Sequence, residues 1–183
     1  DFQNGNKLLN RILREILFPA GRVFVPLSTN VVWKAEIEKQ VTFTIETALA
    51  GIAPKAIYWA QGEGDCHQIG LATSRAQYKQ ALQAIFADMR ATLGNIPVVI
   101  QRIGRRSTFT NTGGVQAIRE VQEELAAENS WVHLSTEVYN QALFDDVHLD
   151  DTGYVFVAER NARKLLSVLG DSISGVTGVK LVS

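Results

Sequence analysis

Residues 55–65 read KAIYWAQGEGD, an apolar run that passes without a break into two glycines and three polar or acidic side chains. The aromatic and β-branched content of Ala56–Ala60 is that of a strand. Gln61, Gly62, Glu63, Gly64 and Asp65 end it. Two glycines let the backbone turn sharply and come close to a ligand. Gln61 offers a side-chain amide at that turn. The stretch is not a phosphate loop, because it lacks GxxxxGKS/T and no GxGxxG opens a helix. The same letters also fit a glycine-rich turn with solvated acids.

Working outward, strand-like and helix-like stretches alternate. RVFVPL (22–27) and PVVIQRI (97–103) are further apolar strands, and WVHLS (131–135) is the last. KLLNRILREIL (7–17) has helical spacing, and a second helix covers about 34–50, ending at Gly51. The third helix has Ser74 as N-cap, carries Tyr78, Leu82, Ile85, Phe86 and Met89 on one face, and ends at Gly94. A fourth spans about 112–129, and the last starts near Thr152. Strands alternating with helices predict a parallel sheet covered on both faces, a three-layer α/β/α domain of flavodoxin-like type. Ligands of such sheets sit at the carboxyl ends of the strands. The domain is expected over 1–169, with 170–183 as a tail or linker.

Composition narrows the classes. The 183 residues include 46% apolar and 20% charged side chains, with a formal net charge of -1. Such a chain has no global field to draw nucleic acid or an anionic membrane. No apolar run approaches the ~20 residues that cross a bilayer. The single cysteine, Cys66, excludes an internal disulfide framework. Cys66 and His67 alone are too few ligands for a zinc site.

A second stretch carries chemistry: FDDVHLDDTGY, residues 144–154. Asp145 and His148 stand three apart at a helix entrance. This spacing can bring the carboxylate onto one imidazole nitrogen, leaving the other as a general base. It equally fits a plain helix start, with Asp150, Asp151 or Thr152 as cap and His148 at the surface. His133, within a strand, reads as structural. Arg102, Arg105 and Arg106 either flank a substrate or are solvated.

Together the two stretches resemble the SGNH hydrolase superfamily, and within it the sialate O-acetylesterase-like carbohydrate esterases. The matching residues are Trp59, Gln61, Gly62, Glu63 and Asp65 in one block, and Asp145, His148, Leu149 and Gly153 in the other. IREVQ (118–122) is similar to a helix of the same family. The resemblance implies hydrolysis of an O-acetyl ester on a carbohydrate, without metal or cofactor. It makes His148 the base and Asp145 its orienting acid. Gln61 takes the role of an oxyanion donor, while Glu63 and Asp65 brace the turn through backbone N–H groups.

Two parts of the family pattern are absent. Ser28, Thr29 and Asn30 stand where glycines are expected after the second strand, and a Ser28 or Thr29 N–H, or the Asn30 side chain, could still face an oxyanion. The block with the first strand and the nucleophilic serine does not precede the helix at 7–17. In the strand order 2-1-3-4-5 the first strand is central, so a longer polypeptide or a second chain is expected to supply both. GDSIS (170–174) offers Ser172, but a helix rather than a strand runs into Gly170, so Ser172 reads as a decoy. The chain does not begin with Met, which fits a processed product or part of a multidomain protein, such as a virion tail protein or a secreted polysaccharide enzyme. The competing readings are an inactive glycan-binding module of the same fold, and an unrelated flavodoxin-like domain.

Overall fold

The computed structural model describes residues 54–67, 74–104, 112–145 and 148–170. The strands expected at 22–27, the helices at 7–17 and 34–50, and the tail lie outside these residues. In chain order the elements are β1 (Ile57–Trp59), a one-turn 3-10 helix (Asp65–His67), α1 (Arg75–Leu93), β2 (Val98–Ile100), α2 (Thr112–Glu128), β3 (Val132–Leu134) and α3 (Asp151–Val168). The described strands form a parallel sheet in the order β1-β2-β3, with Ile57 opposite Val98 and Val98 opposite Val132. This is the order expected of strands three, four and five of the five-stranded fold.

Each strand is shorter than the apolar run that predicts it. At the start of β2, Pro97 has no N–H to give to a ladder, although its carbonyl accepts from Ile57 at 2.8 Å. Past β2, α2 takes over the backbone's polar groups. The Ile103 N–H donates to Gln122 Oε1 at 3.1 Å, and Arg119 Nη1 donates to the Ile103 carbonyl at 2.7 Å. The chain therefore leaves the sheet at Ile103 without an unsatisfied amide.

Alternation along the strands divides the core in two. Ile57, Trp59, Val98, Ile100 and Val132 face α1 and α2, where they meet Tyr78, Leu82, Phe86, Ile118, Val121 and Leu125. The rings of Trp59 and Phe86 meet edge to face at 5.4 Å. Val99 faces the other way, toward Val157, Ala158, Ala162, Leu165 and Leu166 of α3, with Tyr58 packed beside them. Helices thus cover both faces, giving the three-layer α/β/α architecture.

Local signals set the helix ends as read from the sequence. Ser74 Oγ accepts from the Gln77 N–H at 3.2 Å, and Gln77 Oε1 accepts from the Ser74 N–H at 2.7 Å, a reciprocal capping box. Gly94 closes α1 with φ 95°, and Gly170 follows α3 with φ 74°. Both lie in the left-handed region that favours glycine.

One feature of the α3 side is polar. Asn161, fully buried, donates to Gln101 Oε1 at 2.8 Å and to the Tyr58 hydroxyl, and accepts from Ser135 Oγ. A single side chain of α3 therefore ties the helix to β1 and to the residues that follow β2 and β3. Asn161→Ala would strip three partners of a bond at once, Gln101 buried and Tyr58 and Ser135 partly so. We expect a loss of about 2–3 kcal/mol in unfolding free energy, read from urea denaturation. An unchanged midpoint would mean that the three partners re-pair among themselves.

Candidate active site

The turn after β1 is built on Gly62, which is buried with φ 145°. Its carbonyl accepts from the Asp65 N–H at 3.1 Å and the Cys66 N–H at 3.2 Å, and the Cys66 thiol reaches it at 3.2 Å. This folds the chain back into the 3-10 turn and buries Asp65 to 6% exposure. Gln61 Nε2 donates to Asp65 Oδ2 at 2.5 Å. The Gln61 carbonyl accepts from Gln122 Nε2 of α2 at 3.4 Å. Beyond the bracing role expected of Asp65, the structure places its carboxylate on the Gln61 side chain. A primary amide has two N–H donors, so Asp65 fixes the plane of the Gln61 amide through one and leaves the other available. Gln61 Oε1 is buried and accepts no hydrogen bond.

Asp145 and His148 lie in a loop closed by backbone bonds. Leu143 and Leu149 form an antiparallel bridge, the Phe144 N–H donates to the His148 carbonyl at 2.8 Å, and the Asp150 N–H donates to the Ala142 carbonyl at 3.1 Å. Within this loop Asp145 grips His148 twice. Oδ2 is 2.6 Å from Nδ1, and Oδ1 accepts the His148 backbone N–H at 2.8 Å. The carboxylate fixes the ring's tautomer: Nδ1 carries the proton, and the lone pair is on Nε2. The helix cap is a separate residue. Asp150 Oδ1 accepts from the Gly153 N–H at 2.7 Å, so the dyad and the cap coexist in the same stretch. Gly153 is needed for this closeness, since a Cβ there would lie 3.1 Å from Leu149 Cβ and 3.3 Å from the Ala142 carbonyl.

Tyr154 links the two stretches electrostatically. Burial, followed by the nearby charges of Glu63 and Asp145, pushes its pKa up to about 12. Its hydroxyl is thus within electrostatic reach of an acid from the β1 turn and the acid of the dyad, and stays protonated through the neutral range. Burial and then the same Glu63 also raise the pKa of Tyr58. Glu63 is itself half-buried. Tyr154 and Gln122 end two stretches quoted from the sequence, 144–154 and 118–122, yet neither was singled out as a site residue. Both sit on helices as ordinary amphipathic positions, and only the folded chain brings them to the strand ends.

Other residues fall into place as structure. Arg102 pairs with Glu123 at 2.5 Å and with Glu137, which Arg119 also holds at 2.5 Å. Burial opposes ionisation of Glu137, but the bonds from Arg119 and the Tyr139 N–H outweigh it and keep its carboxyl below the usual range. Arg102 is therefore braced within the protein. His133 is a partly buried residue of β3 whose pKa burial lowers, with Lys164 nearby adding to the shift. Among the described residues no three His, Cys, Asp or Glu side chains group as metal ligands. Ser28, Asn30, Arg105, Arg106 and Ser172 lie outside the described residues.

Residues 32–167 match the family described as carbohydrate esterase, sialic acid-specific acetylesterase. The chain belongs to this family. Gln61, Asp145 and His148 all lie within the matched residues. Solved structures share the fold of this carbohydrate esterase family member. A protein from Arabidopsis thaliana is 23% identical, with a TM-score of 0.56, over 74% of this chain and 53% of that one. The chain thus spans about half the length of the Arabidopsis protein. A carbohydrate esterase family 3 structure from Talaromyces cellulolyticus is 15% identical over 90% of this chain and 92% of its own, with a TM-score of 0.59. An acetyl xylan esterase is 16% identical over 83% and 87%, with a TM-score of 0.57. No curated protein matches the sequence.

Proposed function

We propose that the protein is a serine esterase that removes O-acetyl groups from a carbohydrate, with His148 as general base, Asp145 as its orienting acid and Gln61 as an oxyanion donor. The observation that carries this reading is the 2.6 Å contact between Asp145 Oδ2 and His148 Nδ1, made in the loop that enters α3. Family membership supports the same chemistry and the same substrate class.

In this reading His148 Nε2 takes the proton of a serine hydroxyl as the serine oxygen attacks the acetyl carbonyl. Negative charge then grows on the carbonyl oxygen. The N–H of Gln61 not held by Asp65 is the donor for that charge, together with Ser28 or Asn30 after the second strand. The imidazolium, stabilised by Asp145, returns its proton to the sugar oxygen as the C–O bond breaks. Water repeats the sequence on the acetyl-serine and releases acetate. The serine belongs to the central strand's block, on a longer polypeptide or a partner chain. Ser172 follows a helix and is not assigned the role. Gly62 and Glu63 form the turn that presents Gln61.

The direct test is acetate release from O-acetylated sugars by the full-length polypeptide. Gln61→Ala is expected to lower kcat about 100- to 1,000-fold with little change in KM, as for loss of one oxyanion donor. Sugar binding without any acetate release would instead favour a binding module.

A further inference from the structure

We propose that the exposed rings of Phe144 and Tyr139 are the carbohydrate platform of this site, on which one face of the acetylated sugar stacks. The inference rests on the esterase reading above and names how that site holds its substrate. Among the described residues only two large apolar side chains are exposed, Tyr139 at 46% and Phe144 at 71%. Single exposed apolar side chains are ordinary on protein surfaces. Here both fall in the segment between β3 and α3 that carries Asp145 and His148.

That segment does not need them for anchoring. Val138 and Leu149 already bury it in the core beside Tyr154. Phe144 instead sits directly before Asp145, its backbone N–H tied to the His148 carbonyl at 2.8 Å inside the bridged loop. The backbone that carries the ring is therefore tied to the backbone of the base. Tyr139 is tied as well. Its N–H donates to Glu137 Oε1 at 3.1 Å, and the Arg119 guanidinium lies 5.3 Å from its ring centroid.

The surroundings select the occupant. A pyranose ring presents an apolar C–H face bordered by hydroxyl groups. Such a face suits an aromatic ring set among polar groups. Arg119 lies over the Tyr139 ring, Glu137 holds the Tyr139 N–H and Asp145 follows Phe144 in the chain, and a purely apolar acyl chain would strip such groups of water without replacing the bonds. A sugar keeps its hydroxyl rim in water while its C–H face covers the ring.

The test is calorimetric titration of the full-length polypeptide carrying His148→Ala, which keeps the ester intact, with O-acetylated sialic acid and O-acetylated glucose as probes. Adding Phe144→Ala is expected to weaken binding of at least one probe about tenfold. Phe144→Tyr and Phe144→Trp are expected to restore it, and Tyr139→Ala to weaken it less. Equal affinity with and without the Phe144 ring overturns the platform. So does a loss that tyrosine and tryptophan fail to restore, or failure of the parent to bind either sugar. Ethyl acetate turnover by the polypeptide with His148 intact is measured separately. Its absence overturns the esterase reading, while the titration still decides the platform.

Discussion

His148→Ala is expected to lower kcat for acetyl-ester hydrolysis by ~10⁴-fold or more, with KM changed far less. The residue is asked to do two things in one turnover, taking a proton from the nucleophile and giving it to the leaving oxygen. Asp145, whose carboxylate lies 2.6 Å from Nδ1 in the parent, orients the ring and is not the group that meets the serine. Loss of a triad member in a serine hydrolase removes most of the chemical acceleration and leaves the contribution of the oxyanion donors and binding. Asp145→Asn gives a sharper reading of the pair. The asparagine keeps the shape and can still accept the His148 backbone N–H. Its amide can also donate to Nδ1, which would hold the ring in the opposite tautomer and put the proton on Nε2. A drop of similar size, ~10⁴-fold, is expected without loss of folding. Stopped assays of acetate release over a range of substrate concentrations would separate kcat from KM. Turnover within tenfold of the parent in either variant would remove the dyad from the mechanism.

The second large effect is on stability. Gly62→Ala is expected to destabilise the protein by about 3 kcal/mol or more. Two costs add. At φ 145° an L side chain is strained whatever the space. A Cβ there would also lie 2.8 Å from Ile103 Cγ2 and 2.9 Å from Ile118 Cγ2, with the Tyr78 hydroxyl at 3.3 Å. Ile103 and Ile118 are both buried in the core between the sheet and α2, so neither can move aside cheaply. Gly64, two residues on, is the control. A Cβ at Gly64 meets nothing within 4 Å, so Gly64→Ala should be close to neutral. Urea denaturation of the two variants beside the parent reads the contrast. Equal midpoints for Gly62→Ala and Gly64→Ala would mean the turn relaxes away from α2. Because the same turn carries Gln61, a destabilised but folded Gly62→Ala is also expected to lose activity.

Much of this was legible in the sequence because the signals are local. Short apolar runs located each described strand and 3.6-residue spacing each described α-helix within a few residues, and Ser74 and Gly94 marked the ends of α1 correctly. D-x-x-H is also local: three residues at a helix entrance are few enough that the chain itself brings carboxylate and imidazole together. What stayed ambiguous was the competition between dyad and cap. A sequence offers Asp145, Asp150, Asp151 and Thr152 to one helix start without ranking them. The fold resolves this by giving the cap to Asp150, whose Oδ1 accepts the Gly153 N–H at 2.7 Å, and by leaving Asp145 to His148.

Side-chain partners were less legible. Nothing in the spelling QGEGD says that Asp65 takes the Gln61 amide four residues before it. That outcome depends on the Gly62 carbonyl gathering the Asp65 and Cys66 amides and turning the carboxylate back. Nor does the sequence pair Gln122 with Ile103, or Asn161 with Tyr58, Gln101 and Ser135. These bonds cross from helix to sheet, and they form only because parallel pairing brings the strand ends to a common rim where buried polar groups must find partners.

By itself the sequence determined the order of strands and helices, the parallel sheet and the two motifs, because each is set by periodicity or by a few adjacent residues. Only the tertiary structure decided that Asp150, not Asp145, caps α3, that Asp65 meets the Gln61 amide, and that Tyr154 feels charges from both stretches. The first two are contacts within a few residues that spacing permits but does not rank; the last joins segments far apart in the chain, and packing chooses it.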